Sequence, residues 1–397
     1  MTSDPIGLYL HIPFCTAKCG YCDFNSYAGH EHLIPSYTGT LLKEASLWRA
    51  TVGQRPVATV FFGGGTPSLS PVDEMRAILD GLRATFAFAP DAEVSLEANP
   101  GSLSEEYLRG LRGAGFNRLS IGVQSFDDEE LVVLDRVHTA AQARDAFAAA
   151  RAAGFDNVNL DLIYGLPEQP LAAWQRSLEQ ALALAPEHLS LYALTVEEGT
   201  PLARDIARGR VTSPDPDAQA EQYEWTQDRL ACAGYEHYEI SNWARPGRRC
   251  AHNLLYWRNR EYLGLGAGAH SYLDGVRFST VLLPQRYQEL VDESLAGIED
   301  GRGVMRQVAG AEQITPELAM ADELILGLRL VEGVSRAEFA ARTGRDVHEV
   351  YGGVIDEFTG YGLLEETATH LRLTRRGRLL SNELFQRLLP QPAEATA

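Results

Sequence analysis

The chain has 397 residues, 45% hydrophobic and 22% charged, a balance typical of a globular protein with room for more than one domain. Its formal net charge is −19, so the surface repels phosphate backbones and no nucleic-acid partner is expected, although Arg372–Arg378 is locally basic. No run approaches the roughly 20 apolar residues of a transmembrane helix. The apolar start Ile6–Phe14 is short, contains His11 and Pro13 and has no basic region before it, so a cytoplasmic protein is expected.

Short apolar runs predict strands at Leu8–Ile12, Val57–Phe62, Glu93–Ala98, Arg118–Val123, Asn157–Ile163 and His188–Ala193. Amphipathic stretches between them predict helices at Leu33–Ala50, Glu74–Ala87, Glu105–Ala114, Ala141–Ala153 and Ala172–Leu184. Six such units predict an α/β fold with a parallel sheet, because parallel strands need crossovers. A partial barrel fits best, with a doubly wound sheet as the alternative. From Ala218 a helix runs to Ala233, followed by an aromatic, arginine-rich stretch, Tyr235–Arg260, and the glycine run Gly264–Gly268. We read residues 1–215 as the barrel core and 216–300 as an extension of its sheet. Residues 301–389, with helices at Pro316–Leu330, Arg336–Thr343 and Val347–Tyr361, read as a small α-helical, winged-helix-like domain, in the plainer view only a stabilising cap. Residues 390–397 read as a disordered tail.

Five cysteines are present, and Cys15, Cys19 and Cys22 fall together as C-x3-C-x2-C after the first strand. A cluster protein that only carries electrons normally supplies four thiolates. Three predict a [4Fe–4S] cluster with one iron open to an outside ligand. The competing readings are buried thiols and a zinc site completed by His11 or His30, but zinc motifs usually come as paired hooks. Gly63–Gly65, before Thr66, strips side chains from the exit of the second strand. Glu97, Gln124 and Asp161 lie at or near the ends of the next three strands, and Arg136 follows. Each alone is commonly a cap or an ion pair; together at successive strand ends they converge on one pocket.

The cysteine spacing, with Tyr21 before the third cysteine, resembles the radical S-adenosylmethionine (SAM) superfamily. That resemblance implies a partial (β/α)6 barrel in which SAM chelates the open iron and is cleaved to a 5′-deoxyadenosyl radical. The stretches Glu97–Gly101, Ile121–Ser125 and Asp161–Pro167 are similar to one branch, the oxygen-independent coproporphyrinogen III oxidases and their relatives. In that branch the positions of Tyr9, Tyr21, Gly64, Gly65, Thr66, Glu97, Gln124, Arg136 and Asp161 contact SAM.

The branch holds two functions: decarboxylation of coproporphyrinogen III to protoporphyrinogen IX, and the heme binding and delivery of the HemW-type heme chaperones. Phe24 stands where the oxidases carry a fourth cysteine, and the cysteines begin at residue 15, without the oxidases' longer N-terminal segment. His270 is not the residue type of the oxidases' second-SAM position. His252-Asn-Leu-Leu-Tyr256-Trp257 resembles a motif associated with heme in the chaperones. An imidazole can ligate heme iron, Tyr256 and Trp257 can wall the macrocycle, and Arg245, Arg248 and Arg249 suit its propionates. The plainer reading of His252, Tyr256 and Trp257 is a packed core segment. The resemblance implies a heme chaperone with a cluster, SAM and heme. Its partner is a heme-accepting protein, which transient contact would allow to be membrane-bound; the alternative is the oxidase.

Overall fold

The computed structural model describes residues 4–299 and 304–390. Six strands, β1 (Ile6–Ile12), β2 (Val57–Gly64), β3 (Phe88–Ala98), β4 (Arg118–Gln124), β5 (Val158–Tyr164) and β6 (His188–Ala193), lie side by side in chain order. Each is parallel to the one before. The crossovers carry α1 (Ile34–Val52), α2 (Val72–Thr85), α3 (Glu105–Ala114), α4 (Asp128–Val133), α5 (Ala140–Ala152) and α6 (Leu171–Ala183). Local signals set several of these boundaries. Ser104 caps α3 by accepting from the Tyr107 N–H, Gly115 ends that helix in the left-handed conformation, and Thr139 and Gln142 form a capping box on α5.

Alternation along the strands separates two environments. Ile6, Leu8, Leu10 and Ile12 of β1 join the large apolar cluster under the helices, with Tyr37, Leu41 and Ile78. Tyr9 of β1 and the polar residues Glu97, Arg118, Ser120, Asn159, Asp161, His188 and Ser190 of β3 to β6 line interior cavities. A parallel strand buried on both faces usually reads as continuously apolar. Here the concave face is polar.

The sheet continues beyond these six strands. After α7 (Pro201–Ala207) and α8 (Pro216–Cys232) come β7 (Glu236–Glu239) and β8 (Asn242–Ala244); β8 adds antiparallel to β6, and β7 antiparallel to β8. A short helix, α9 (Ala251–Trp257), leads to β9 (Tyr262–Leu265), which pairs parallel with β1. β10 (His270–Leu273), β11 (Val276–Thr280) and, after α10 (Pro284–Glu299), β12 (Val308–Gln313) follow antiparallel. The order is β12-β11-β10-β9-β1-β2-β3-β4-β5-β6-β8-β7, so β12 and β7 are edges and the barrel is open. The chain past residue 303 therefore first completes the large sheet, and the expected division at 301 falls ahead of its last strand.

The C-terminal unit starts at α11 (Pro316–Gly327) and continues through β13 (Val334–Ser335), α12 (Arg336–Thr343), α13 (Val347–Gly360), β14 (Leu364–Glu366) and β15 (His370–Leu373). This helix–strand–helix–helix–strand–strand order is that of a winged helix. The unit has its own apolar cluster around Phe339, Phe358 and Leu371, closed by α14 (Arg375–Leu379) and α15 (Ser381–Leu388). It docks on the barrel through Arg375 to Asp228 and through the backbone pair Ile240 N–H to Arg329 C=O. The expected disordered tail lies, apart from Pro390, outside the described residues.

Candidate functional site

At the C-terminal ends of the strands, the upper end, a cavity of about 470 Å³ is lined by Cys15, Cys19 and Cys22 together with Tyr21, Gly64, Gly65, Thr66, Glu97, Gln124, Arg136 and Asp161. The loop holding the cysteines is zipped to the exit of β2: Gly65 N–H donates to the Ile12 carbonyl at 2.9 Å and Thr66 N–H to that of Phe14 at 2.7 Å. The glycines are dictated by this packing. Gly64 has φ +112°, and a Cβ there would lie 2.7 Å from the His11 ring; a Cβ on Gly65 would lie 2.7 Å from the Phe14 carbonyl oxygen.

Two polar side chains already address the sulfurs. Thr66 Oγ1 donates to Cys15 Sγ and Arg136 Nη1 to Cys19 Sγ, each at 3.4 Å. Arg136 Nη2 donates to the Gly122 carbonyl at 3.0 Å, which fixes the guanidinium beside the cysteine loop. Its Nε is buried without a partner among the described residues. Gln124 holds φ 65°, a left-handed backbone unusual for a residue other than glycine and a common mark of functional sites. Glu97 Oε2 accepts from Gly64 N–H at 3.2 Å. Burial, and next the adjacent Asp161, push the Glu97 carboxyl up to about 8. Asp161 accepts from Ser120 at 2.9 Å and Asn159 at 2.7 Å, and burial raises it too.

Tyr9 departs from the expected set. Its hydroxyl meets His11 Nδ1 at 3.0 Å and it lines a second cavity below. The donor set in the upper cavity fits a cluster held by three thiolates. His11 spends its other ring nitrogen on the Asn25 carbonyl at 2.8 Å, and His30 is not part of the cavity wall. Cys232 is exposed on α8 and Cys250 is buried near the lower end beside Glu93. Among the described residues no three His, Cys, Asp or Glu side chains are drawn tightly enough around one point to hold a single metal ion, as tetrahedral zinc would require. Lys18, Tyr192, Thr195 and Glu197 also line the cavity and were missed. The last three lie at or just past the end of β6, where barrel sites collect.

The His252–Trp257 motif lies elsewhere. It is α9, which closes the lower end of the barrel: His252 packs against Gly7 and Thr59, near the starts of β1 and β2, and shares the lower cavity, about 230 Å³, with Arg118 and His188, the first residues of β4 and β6. Glu93 accepts the N–H groups of Ala251 and His252 at 3.0 and 3.1 Å and so caps α9 from a neighbouring strand. His252 is 1% exposed, with Nδ1 2.7 Å from Thr59 Oγ1 and Nε2 2.9 Å from the Tyr256 hydroxyl. Burial lowers its pKa to about 3, so the ring is neutral. Trp257 is turned to the C-terminal unit, its ring 4.3 Å from the Arg329 guanidinium. The arginines upstream are engaged as well: Arg245 over Tyr235, Arg248 with Asp156, Arg249 with Glu236 and Glu332.

Comparison with known proteins bears on the family and the fold. Residues 9–181 match the radical SAM superfamily and residues 314–380 the HemN C-terminal domain. Over 98% of this chain and 96% of the relative, the sequence is 40% identical to the heme chaperone HemW of Mycobacterium tuberculosis. It is 37% identical to that of Bacillus subtilis over 95% and 97% of the two chains. The structure of coproporphyrinogen III oxidase (HemN) from Escherichia coli, a radical SAM enzyme, superposes with a TM-score of 0.84 over 98% of this chain and 91% of that one. At 24% identity that likeness shows the fold. No helix among the described residues is long and apolar enough to cross a membrane. The chain is a member of the radical SAM superfamily and, within it, of the HemW family.

Proposed function

We propose that the protein binds heme and passes it to an acceptor protein. Its scaffold holds a [4Fe–4S] cluster on Cys15, Cys19 and Cys22, and SAM against Tyr21, Gly64, Gly65, Thr66, Glu97, Gln124, Arg136 and Asp161. The observation that carries this reading is the full-length likeness to proteins named heme chaperones. Alongside it, Phe24 rather than a thiol lies at the cavity wall. Cys15, Cys19 and Cys22 would hold the cluster, which would supply an iron left open for SAM to chelate. Arg136 offsets thiolate charge at Cys19, and Glu97 ionises to receive the cationic end of the ligand. Tyr9 supports His11 and the floor of the cysteine loop from below. The protein works in the cytoplasm, and its acceptor, which it meets transiently, can be membrane-bound.

Anaerobically reconstituted protein, given coproporphyrinogen III, SAM and a reductant, is expected to yield no protoporphyrinogen. The same protein is expected to develop a Soret band on heme titration and to lose it to an added apo-hemoprotein. Catalytic protoporphyrinogen formation overturns the reading in favour of the oxidase.

A further inference from the structure

His252 is poorly suited to reach heme. Both ring nitrogens are engaged inside the barrel, Tyr256 is its partner, and Trp257 points away to Arg329. A heme offered to α9 would have to open the lower end of the barrel.

A different surface has the chemistry that heme needs. Phe24, on the wall of the upper cavity, is 62% exposed, and Leu282 and Leu283, tied to the segment that follows it, are 59% and 56% exposed. Large exposed apolar side chains grouped in this way mark binding surfaces. They are held together by the chain itself. Asn25 Nδ2 donates to the Leu282 carbonyl and to that of Ala267, both at 3.0 Å, and the Tyr27 hydroxyl donates to Leu282 O at 3.2 Å. Gly268, at φ +81°, makes this possible, since a Cβ there would lie 2.4 Å from Asn25 Nδ2.

Two imidazoles stand beside this wall. The His30 ring lies edge-on to Tyr27 at 6.0 Å, and the His32 ring stacks on His30 at 6.1 Å. His30 Nδ1 lies 3.1 Å from the Gln285 side-chain amide. The amide nitrogen can only donate, so Nδ1 accepts and the ring proton sits on Nε2, which holds His30 in place as a rigid neighbour. Among the described residues, both nitrogens of the exposed His32 have no protein partner, so His32 offers the free imidazole. Lys18 Nζ, 2.9 Å from the Phe24 carbonyl, brings a cation to the mouth of the upper cavity.

We propose that heme docks beside the mouth of the upper cavity, its apolar face on Phe24, Leu282 and Leu283, its iron on His32 with His30 stacked alongside, and a propionate toward Lys18. This inference rests on the heme-chaperone reading and names the site that reading lacks. It also gives Phe24 a role, since a residue exposed at a cluster's edge serves as wall where a thiolate would serve as ligand.

The test is a heme titration of the full-length, cluster-loaded protein, read by the Soret band and by the low-spin ferric signal in electron paramagnetic resonance. His30→Ala/His32→Ala is expected to weaken binding at least tenfold and to shift the Soret maximum; Leu282→Glu is expected to weaken it with an unshifted maximum. His252→Gln, with circular dichroism and iron content as folding controls, is expected to bind like wild type. Undiminished binding by the His30/His32 variant overturns the site, as does loss of binding by a folded His252→Gln protein. Absence of heme binding by the wild type overturns the chaperone reading itself.

Discussion

The two ends of the barrel are both lined by polar side chains and use them in opposite ways. At the lower end most polar groups satisfy one another, the buried Arg118 Nε being an exception: Glu93 caps α9, His252 bridges Thr59 and Tyr256, and His188 joins Asn159 at 2.6 Å to Tyr238 at 2.8 Å. At the upper end, three thiols, the Arg136 Nε and a raised Glu97 face a cavity with bonding capacity left over. A polar residue whose partners come from its own chain is architecture. One whose partners are missing awaits a ligand.

The contrast can be broken most sharply at the cysteines. Cys19→Ala is expected to reduce iron after anaerobic reconstitution from about four per chain to nearly none, with little loss of folding stability, because its sulfur supports nothing but Arg136. Zinc in the purified wild type, or iron retained by the variant, would refute the three-thiolate cluster. His252→Ala should behave in reverse, lowering the stability of the barrel by about 3 kcal/mol, through a cavity and two stranded hydroxyls, while leaving iron content intact. A stable variant that has lost its cluster would erase the distinction between the two ends.

The most gradual expected effect, small within any one pH unit, is in pH. His252 has a folded pKa below its unfolded value, so its contribution is fully present above about 6.5 and is lost as pH falls toward 3. The loss approaches 1.4 kcal/mol per pH unit for one such histidine. Glu97 and Glu44, both raised, to about 8 and about 7, act in the opposite direction as pH falls, so the readout is the difference between proteins. His252→Gln should lose stability less steeply than wild type below pH 6.5 in denaturant titrations. Parallel curves would mean that His252 is not held neutral.

Most of the barrel was legible in the sequence because its signals are local. The six apolar runs match β1 to β6 closely, and Glu105–Ala114 is α3 to the residue, bounded by its serine cap and its glycine. β12 was not read: it is a polar edge strand, exposed along most of Ala309–Gln313, with no apolar alternation to betray it. The upper site was legible because strand ends of a parallel barrel converge by geometry, which brought eight of the nine expected SAM residues to the cavity wall. Tyr9, expected from the resemblance alone, lies mid-strand and lines the lower cavity. His252, Tyr256 and Trp257 were grouped as one surface, but on a helix i and i+4 share a face while i+5 does not. Only the knowledge that α9 is a helix, and what it closes, separates Trp257 from the other two.

The position of β1 has a consequence for how the protein is made. This strand precedes the cysteine loop and is made before every other strand of the sheet, yet it lies in the middle of that sheet, between β2 and β9. The partner of Tyr9 on one side is Phe61 and on the other is Gly264, about 250 residues later. Pairings over such separations are slow because loop closure must come first. The cysteines are thus synthesised long before their supporting strand is flanked on both sides.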